Sequence, residues 1–133
     1  MLSILLPVYN EEEYVRQNIM RLIREINKIT KDYEIIIVEE STDKTPTLIG
    51  DLKKEYDNIK HFHFDKRLGK GRALEYGIKQ ASGSKIIFTD IDLSTDISSI
   101  KTIVHELNRY DMVIGSRRHK LSKINRTPFR LLI

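Results

Sequence analysis

An α/β fold with a mostly parallel sheet and helices on both faces is predicted by two alternating patterns in the sequence. Short apolar runs, rich in β-branched or aromatic residues and bounded by turn residues, predict strands. These runs lie at Leu2–Leu6, Tyr33–Val38, Ile59–Phe64, Lys85–Thr89 and Met112–Ile114. Helical patterns separate them. Such alternation is typical of a Rossmann-like sheet, because each crossover helix returns the chain to the same end of the sheet.

Four helices are predicted between these strands from the spacing of their apolar residues. In the first helix, Asn10 is the expected N-cap and Glu13 is the acid of a capping box. Thr45-Pro46 predicts the start of the second helix, since proline is favoured at the first helical position. The third helix is expected from Leu68 to Ala81. The predicted apolar faces of the first and fourth helices comprise Val15, Ile19, Leu22, Ile23 and Ile26, and Ile97, Ile100, Ile103, Val104 and Leu107, respectively.

The composition of the 133-residue chain is typical of one globular domain with a buried core. Apolar residues make up 40% and charged residues 32%, which argues against disorder. The absence of cysteine excludes disulfides and thiolate metal sites, and it fits a reducing compartment. No stretch of the sequence approaches the ~20 apolar residues of a membrane span. The N-terminus lacks the basic segment of a signal peptide, so we expect a cytoplasmic location.

The C-terminal end is strongly basic, although the net charge of the whole chain is only +4. From Arg109 onward, seven Lys or Arg residues stand against a single acid, Asp111. Such a segment can bind nucleic acid, an anionic membrane surface or a phosphorylated substrate, or form a solvated tail. We therefore divide the chain into an α/β domain over residues 1–115 and a basic segment over residues 116–133.

Residues that suit ligand binding follow the first two predicted strands, where parallel α/β sheets bind ligands. Tyr9, in the segment Pro7-Val8-Tyr9-Asn10-Glu11, offers a flat ring to stack on a base. Glu39 and Glu40 follow the second strand and offer carboxylates to the N–H groups of a nucleobase. The alternatives are structural: a capped strand-to-helix turn in the first case, and solvent-facing acids followed by the turn segment Ser41-Thr42-Asp43 in the second.

A basic glycine loop, Lys66-Arg67-Leu68-Gly69-Lys70-Gly71-Arg72, follows the third predicted strand. Its glycines let the backbone approach a ligand, and its cations with the following helix N-terminus favour phosphate. The spacing is not that of a P-loop, and basic glycine loops are also ordinary surface features. Gly115-Ser116-Arg117-Arg118, after the fifth predicted strand, is either a second phosphate-binding set or one more exposed basic turn.

Two aspartates, Asp90 and Asp92, follow the fourth predicted strand and form the sharpest chemical signal. Residues i and i+2 of an extended segment point the same way, so these carboxylates are predicted to converge on one point. Mg²⁺ and Mn²⁺ prefer oxygen ligands and are commonly held by one or two carboxylates together with substrate phosphates. The alternative is that one aspartate caps the next helix, a role that Ser94 or Asp96 would also fill. We therefore predict a metal site here.

Taken in order, five motifs resemble the inverting glycosyltransferases of family 2, which have the GT-A fold: LPVYNEEE, VEESTDKT, LGKGRALEYGI, TDIDLSTD and IGSRR. The resemblance covers essentially the whole chain and is greatest to the dolichyl-phosphate mannose and glucose synthases. It implies transfer of a sugar, with inversion, from a UDP- or GDP-linked donor to an acceptor, expected to be a polyprenyl or dolichyl phosphate. A nucleotidyltransferase is the less favoured alternative, because its long glycine-rich loop after the first strand is absent.

The resemblance also implies roles for individual residues. Asp90 and Asp92 would form the D-x-D pair that binds Mg²⁺ or Mn²⁺ and the donor diphosphate. Asp92 and Arg117 are the catalytic candidates, with Arg117 in a G-S-R motif expected near the acceptor phosphate or the sugar. Residues 1–115 would be the nucleotide-sugar-binding domain. The basic segment, with Arg126 and Arg130, would meet the acceptor and the cytoplasmic face of a membrane, and no nucleic-acid partner is expected. The residues expected to bind the donor are Pro7, Tyr9, Glu11, Glu39, Glu40, Lys70, Arg72 and Asp90.

Three departures from the family pattern limit what the resemblance implies. Glu39-Glu40-Ser41-Thr42-Asp43 replaces the usual D-D-G-S-T-D, so the expected base-binding acid is either Glu39 or Glu40. Ser94 stands where some lipid-phosphate members have glutamine, next to the metal pair. Related catalytic domains continue beyond Ile133 and hold the acceptor site there. The alternative function is therefore a nucleotide-sugar-binding module that is inactive without a partner chain or that further part.

Overall fold

The computed structural model describes residues 1–93 and 97–116 as alternating strands and helices. The predicted α/β class is confirmed, and the first four predicted strands are present with bounds shifted by one or two residues at most. The elements in chain order are β1 (Leu2–Val8), α1 (Val15–Ile26), β2 (Tyr33–Glu39), α2 (Thr45–Glu55), β3 (Ile59–His63), α3 (Lys70–Gln80), β4 (Lys85–Phe88) and α4 (Ser99–Glu106).

The strands form a parallel sheet in the order β3-β2-β1-β4. The register places Val8 beside Glu39 and Glu39 beside His63, so β1, β2 and β3 end at the same level. On the other side of β1, Leu5 pairs with Phe88, the last residue of β4. The loops that follow β1, β2 and β4 therefore emerge at one edge of the sheet, where α/β folds bind their ligands.

Alternate residues of the central strands build two apolar layers, one on each face of the sheet. On one face, Ile4 and Ile35 are fully buried among the apolar stripes of α1, α2 and α4. On the other face, Leu5 and Ile36 are buried with Ala73 of α3. Each fully buried isoleucine or leucine contributes about 1.5–3 kcal/mol of transfer free energy. The prediction of helices on both faces is thus confirmed.

A polar network closes the opposite, amino-terminal edge of the sheet. Ser3, fully buried on β1, donates a hydrogen bond of 2.6 Å to Glu34 Oε1 on the neighbouring strand. Lys60 Nζ lies 2.6 Å from Glu34 Oε2, and the Ser82 backbone N–H also donates to Oε1. The Gly83 N–H donates to Ser3 Oγ at 2.9 Å. These bonds satisfy a buried carboxylate and tie the start of β4 to β1 and β2.

The predicted fifth strand at Met112–Ile114 is wrong for the part of the chain that the structure describes. These residues have no strand pairing, and Met112 and Ile114 are 80% and 78% exposed. A short apolar run becomes a strand only where a neighbouring strand accepts its backbone hydrogen bonds, and periodicity does not report such a neighbour. None of the helices among the described residues is long and apolar enough to cross a membrane.

Two predicted helix starts are also corrected. Asn10 is not the cap of α1: its φ is 52°, its Oδ1 accepts a hydrogen bond from Thr42 N, and Tyr14 stands at the N-cap without a side-chain bond. The third helix begins at Lys70 rather than Leu68, because Gly69 has φ 80° and turns the chain immediately before it. The alternative caps Ser94 and Asp96 lie outside the described residues.

Candidate functional site

An open cleft of about 250 Å³ lies at the carboxyl ends of β1, β2 and β4, where the sequence predicted a ligand site. The loop after β1 and the loop after β4 form two of its sides, and the loop before α3 forms the third. The cleft brings together residues that are up to 85 positions apart in the chain. It is lined by Pro7, Val8, Tyr9, Glu11, Glu40, Arg67, Lys70, Asp90, Ile91 and Asp92.

The loop after β1 is held in place by side chains that follow β2. Ser41 Oγ accepts a hydrogen bond from Asn10 N at 2.9 Å, and Thr45 Oγ1 accepts one from Glu11 N at the same distance. Both hydroxyl residues are buried. Ser41 therefore has the structural role that its residue type suggested. The result is that Tyr9 and Glu11 stand at the cleft on a rigid turn.

The two acids at the end of β2 have different environments. Glu39 is fully buried: its Oε1 lies 3.0 Å from His61 Nε2 and 2.5 Å from His63 Nδ1, and its Oε2 accepts a hydrogen bond from Ser41 N. It does not line the cleft. Glu40 does, and its carboxylate accepts hydrogen bonds from Leu68 N and Gly69 N. Of the two candidates for base binding, only Glu40 reaches the cleft.

The glycine loop is arranged differently from the predicted phosphate-binding loop. Its backbone N–H groups at Leu68 and Gly69, just before the N-terminus of α3, donate hydrogen bonds to the Glu40 carboxylate. A carboxylate at this point also interacts favourably with the N-terminus of α3. The basic side chains of the loop are therefore available to a ligand, whereas these two N–H groups are already bonded to Glu40. Of the predicted pair, Lys70 lines the cleft, whereas Arg72 is exposed on α3 and does not.

Arg67 is a cleft residue that sequence reasoning missed as a site candidate. Its guanidinium carbon lies 3.8 Å from the centroid of the Tyr9 ring, within the range of a cation–π contact. Its place in the basic loop was a weak signal, but the partner could only be found in three dimensions. Val8 and Ile91 were also missed, because both are apolar residues next to polar ones.

Asp90 and Asp92 both line the cleft, but not for the predicted reason. β4 ends at Phe88, and residues 91 and 92 lie in a turn closed by a hydrogen bond from Leu93 N to the Asp90 carbonyl, with φ 48° at Leu93. The alternation of side chains along a strand therefore does not apply. Instead, buried Ile91 anchors the turn, and its carbonyl accepts a hydrogen bond of 3.0 Å from Asn18 Nδ2.

Opposite and like charges meet around these aspartates. Lys70 Nζ lies 2.5 Å from Asp90 Oδ1, and both side chains are about half exposed. Burial raises the pKa of Glu11, and the nearby charges of Asp92 and Asp43 raise that pKa further. The cleft thus brings Glu11, Asp90 and Asp92 together, and such a group of negative charges attracts cations.

The donor set fits a hard divalent cation that is shared with a ligand. Asp90 and Asp92 supply carboxylate oxygens in an exposed cleft. Among residues 1–93 and 97–116, no group of three or more His, Cys, Asp or Glu side chains is placed to hold a metal ion by itself. Mg²⁺ and Mn²⁺ commonly take only one or two carboxylates and complete their shell with water and substrate phosphates. The residues therefore suit such a cation and not an all-protein metal cage.

The last catalytic candidate, Arg117, lies outside the described residues, as do Arg126 and Arg130. Within the described residues, the cleft combines an aromatic ring, several acids and a lysine.

Residues 3–132 match the sequence profile of Glycosyl transferase family 2. The chain belongs to glycosyl transferase family 2. Among its relatives in that family is Glycosyltransferase AglD of Haloferax volcanii, which is 32% identical over 120 residues, covering 86% of this chain and 19% of AglD. Dolichyl-phosphate beta-glucosyltransferase ALG5A of Trichomonas vaginalis is 30% identical over 141 residues, covering 97% of this chain and 43% of that protein.

Solved structures of GT-A type glycosyltransferases show the same architecture. The mannosyltransferase PcManGT from Pyrobaculum calidifontis, in complex with GDP-Man and Mn²⁺, is 23% identical, with a TM-score of 0.66 over 77% of this chain and 31% of that one. TarS 1–349 of S. aureus, in complex with UDP-GlcNAc, is 26% identical, with a TM-score of 0.56 over 68% of this chain and 26% of that one. The predicted GT-A fold is confirmed. This family 2 chain spans less than half the length of each of these proteins.

Proposed function

We propose that this family 2 chain binds the nucleoside-diphosphate sugar donor of a glycosyltransferase that passes the sugar to a lipid-linked phosphate. The observation that carries the proposal is the cleft itself. It combines an exposed aromatic ring, a carboxylate, a lysine and two aspartates at the carboxyl edge of a parallel sheet. Each part of a nucleoside diphosphate has a chemically matching group there.

The nucleoside end of the donor is assigned to Tyr9 and Glu40. Tyr9 presents a ring that is 38% exposed, and stacking on an aromatic ring suits any base. Glu40 is held by two backbone N–H groups, and a carboxylate has about four lone-pair sites, so it retains acceptor capacity for a base N–H. These groups accept either uracil or guanine, in line with complexes of GDP-Man and UDP-GlcNAc in the similar structures.

The diphosphate end is assigned to Lys70, Asp90 and Asp92. Asp90 and Asp92 would hold a divalent cation, Mg²⁺ or Mn²⁺, whose chemistry there is to neutralise negative charge on the departing diphosphate. Lys70 contributes a positive charge at the same end of the cleft, and positive groups near a leaving diphosphate stabilise the charge that develops on it. The similar mannosyltransferase structure contains Mn²⁺ together with GDP-Man, which supports a divalent cation in this site.

A polyprenyl or dolichyl phosphate is the acceptor that we propose, with inversion at the anomeric carbon. The support comes from relatives that act on such lipids: ALG5A, and the undecaprenyl-phosphate 4-deoxy-4-formamido-L-arabinose transferase of Proteus mirabilis, 30% identical over 118 residues. A phosphate acceptor is already anionic, so it needs no strong general base. The basic segment over residues 116–133, with Arg117, would meet this phosphate at the cytoplasmic face of a membrane.

A second function, in a different class, is a donor-binding module without turnover of its own. The observation that favours it is that the groups which we assign to the donor all line the one described cleft. The two functions share the donor cleft and differ in whether this chain also places an acceptor.

Calorimetric titration with UDP and GDP, with and without Mn²⁺, tests the donor site. We expect micromolar to millimolar binding that strengthens with Mn²⁺ and is lost in Asp92→Ala. Metal-independent binding that Asp92→Ala leaves unchanged would refute the D-x-D assignment. Incubation with donor and a polyprenyl phosphate, followed by product analysis, then separates the enzyme from the binding module.

A further inference from the structure

The ion pair between Lys70 and Asp90 spans the cleft between two separate elements. Lys70 is the first residue of α3, and Asp90 lies just after β4. The distance from Nζ to Oδ1 is 2.5 Å, and the side chains are 54% and 50% exposed. The Lys70 ammonium therefore contacts Asp90, one of the two carboxylates that we assign to a divalent cation.

The backbone next to Lys70 is held in a defined position. Glu40 accepts hydrogen bonds from Leu68 N and Gly69 N, the two residues immediately before Lys70. Gly69, with φ 80°, then turns the chain into α3. Because the base of the lysine is fixed while its four-carbon stem is flexible, Lys70 can move its ammonium within the cleft without movement of the loop.

Lys70 is the cleft-lining cation that pairs with Asp90 among the described residues. In the part of the chain that the structure describes, the carboxylates that line the cleft are Glu11, Glu40, Asp90 and Asp92, and the cations that line it are Arg67 and Lys70. Arg67 stacks on the Tyr9 ring, whereas Lys70 Nζ lies 2.5 Å from Asp90 Oδ1. Lys70 therefore offsets the charge of Asp90.

We propose that Lys70 is a resident counter-ion of Asp90, which competes with a divalent cation for this carboxylate until a nucleoside diphosphate arrives and takes the ammonium. This inference rests on the proposed donor site and specifies which partner Lys70 has before and after the diphosphate binds. A half-exposed ion pair is weak, so the exchange costs little. An ammonium binds phosphate oxygens as readily as it binds a carboxylate, so the diphosphate gives Lys70 a new partner. The diphosphate also brings oxygen ligands to the divalent cation.

The consequence is that cation and diphosphate assist each other's binding through Lys70. The cation alone must displace Lys70 and leave the ammonium without a partner. With the diphosphate present, Lys70 transfers to phosphate and Asp90 is released for the cation. Such coupling is reciprocal, so the cation must strengthen nucleotide binding by the same factor.

The test is a titration of Mn²⁺ into the full chain, with and without UDP or GDP. Binding is monitored as the loss of the electron paramagnetic resonance signal of free Mn²⁺. The variants are Lys70→Met and the matched control Lys79→Met, since Lys79 lies on the same helix but pairs with Glu75 at 2.6 Å. We expect Lys70→Met to bind Mn²⁺ alone about twofold to fivefold more tightly, as an exposed ion pair allows. The same variant should show a smaller gain in Mn²⁺ affinity on addition of nucleotide. Lys79→Met should match the wild type.

Two outcomes contradict the inference and can be distinguished. If Mn²⁺ and nucleotide bind the wild type together but Lys70→Met has unchanged affinity for Mn²⁺ alone, the counter-ion role is refuted and the donor site stands. If Mn²⁺ binds no variant even with nucleotide, the donor site and the inference both fail. Asp90→Asn combined with Lys70→Met completes the cycle: the gain from Lys70→Met must vanish when Asp90 is neutral. Circular dichroism checks that each variant is folded.

Discussion

The Arg67 guanidinium lies 3.8 Å from the centroid of the Tyr9 ring, and this contact covers one side of the ring that we assign to the nucleobase. A base that stacks on Tyr9 must either displace Arg67 or lie on the opposite side of the ring, and in both cases the guanidinium stays close to the bound nucleotide. The pair thus connects the loop after β1 with the loop before α3 at the cleft.

Tyr9→Ala should weaken binding of UDP or GDP by about tenfold, because stacking of a base on an aromatic side chain contributes ~1–3 kcal/mol. Calorimetric titration in the presence of Mn²⁺ measures the change. Tyr110→Ala is the matched control, since Tyr110 is 55% exposed and does not line the cleft. Equal affinities of the Tyr9 variant and the control would remove Tyr9 from the nucleotide site.

Glu40→Ala should affect both the loop and the ligand. It removes a charged acceptor from the amides of Leu68 and Gly69, and hydrogen bonds to charged groups contribute about 1.5–3 kcal/mol. We expect a lower free energy of unfolding in urea and faster hydrogen exchange at these two amides. Glu75→Ala is the control on α3, because Glu75 is exposed and forms its ion pair with Lys79 of the same helix. Unchanged exchange at Leu68 and Gly69 in Glu40→Ala would contradict the assigned contact.

The stability of the protein should depend on the protonation of His63. A hydrogen bond to Glu39 raises the pKa of His63 above 6.5, against partial burial, and Asp65 adds to the rise. The contribution to the free energy of unfolding is therefore fully present below pH 6.5 and is lost as the pH rises through the higher pKa of the folded state. Urea unfolding between pH 5 and pH 9 should show this loss.

Glu39→Gln tests the cause of that shift. Glutamine keeps the size of the side chain but not its charge, so the pKa of His63, followed by NMR of its ring protons, should fall toward its ordinary value. Asp65→Asn is the milder control, because Asp65 is 97% exposed and lies 3.3 Å from His63 Nε2. A larger fall in Asp65→Asn than in Glu39→Gln would show that the buried acid is not the main partner.

Gly83→Ala should destabilise the amino-terminal edge of the sheet. A Cβ atom at this position would lie 2.7 Å from the Met1 carbonyl and 2.7 Å from Ser3 Oγ, which are closer than van der Waals contact. We expect the free energy of unfolding to fall by about 1–3 kcal/mol, as for other overpacked sites. Gly50→Ala is the opposite case: it lies within α2 with nothing within 4 Å of a Cβ atom, and it should stabilise by roughly 0.5–1 kcal/mol. Similar effects of the two changes would argue against the close packing at Gly83.

Much of the fold could be predicted from the sequence because the central strands are short apolar runs and the helices carry apolar stripes. Periodicity reports which face of an element is buried, and burial of Ile4, Ile35 and Ile19 agrees with it. The failure at Met112–Ile114 has the same origin, since the pattern of a run carries no information on whether a strand lies beside it.

The sequence by itself determined the order of the elements, and through it the edge of the sheet at which the polar loops meet. Tertiary structure alone decided which side chains face the cleft: Glu40 rather than Glu39, Lys70 rather than Arg72, and Arg67 on Tyr9. The physical reason is that these choices depend on the backbone of the loops, with φ 52° at Asn10, 80° at Gly69 and 48° at Leu93. Such turns are stabilised by hydrogen bonds between distant segments, and neither periodicity nor residue spacing encodes those partners.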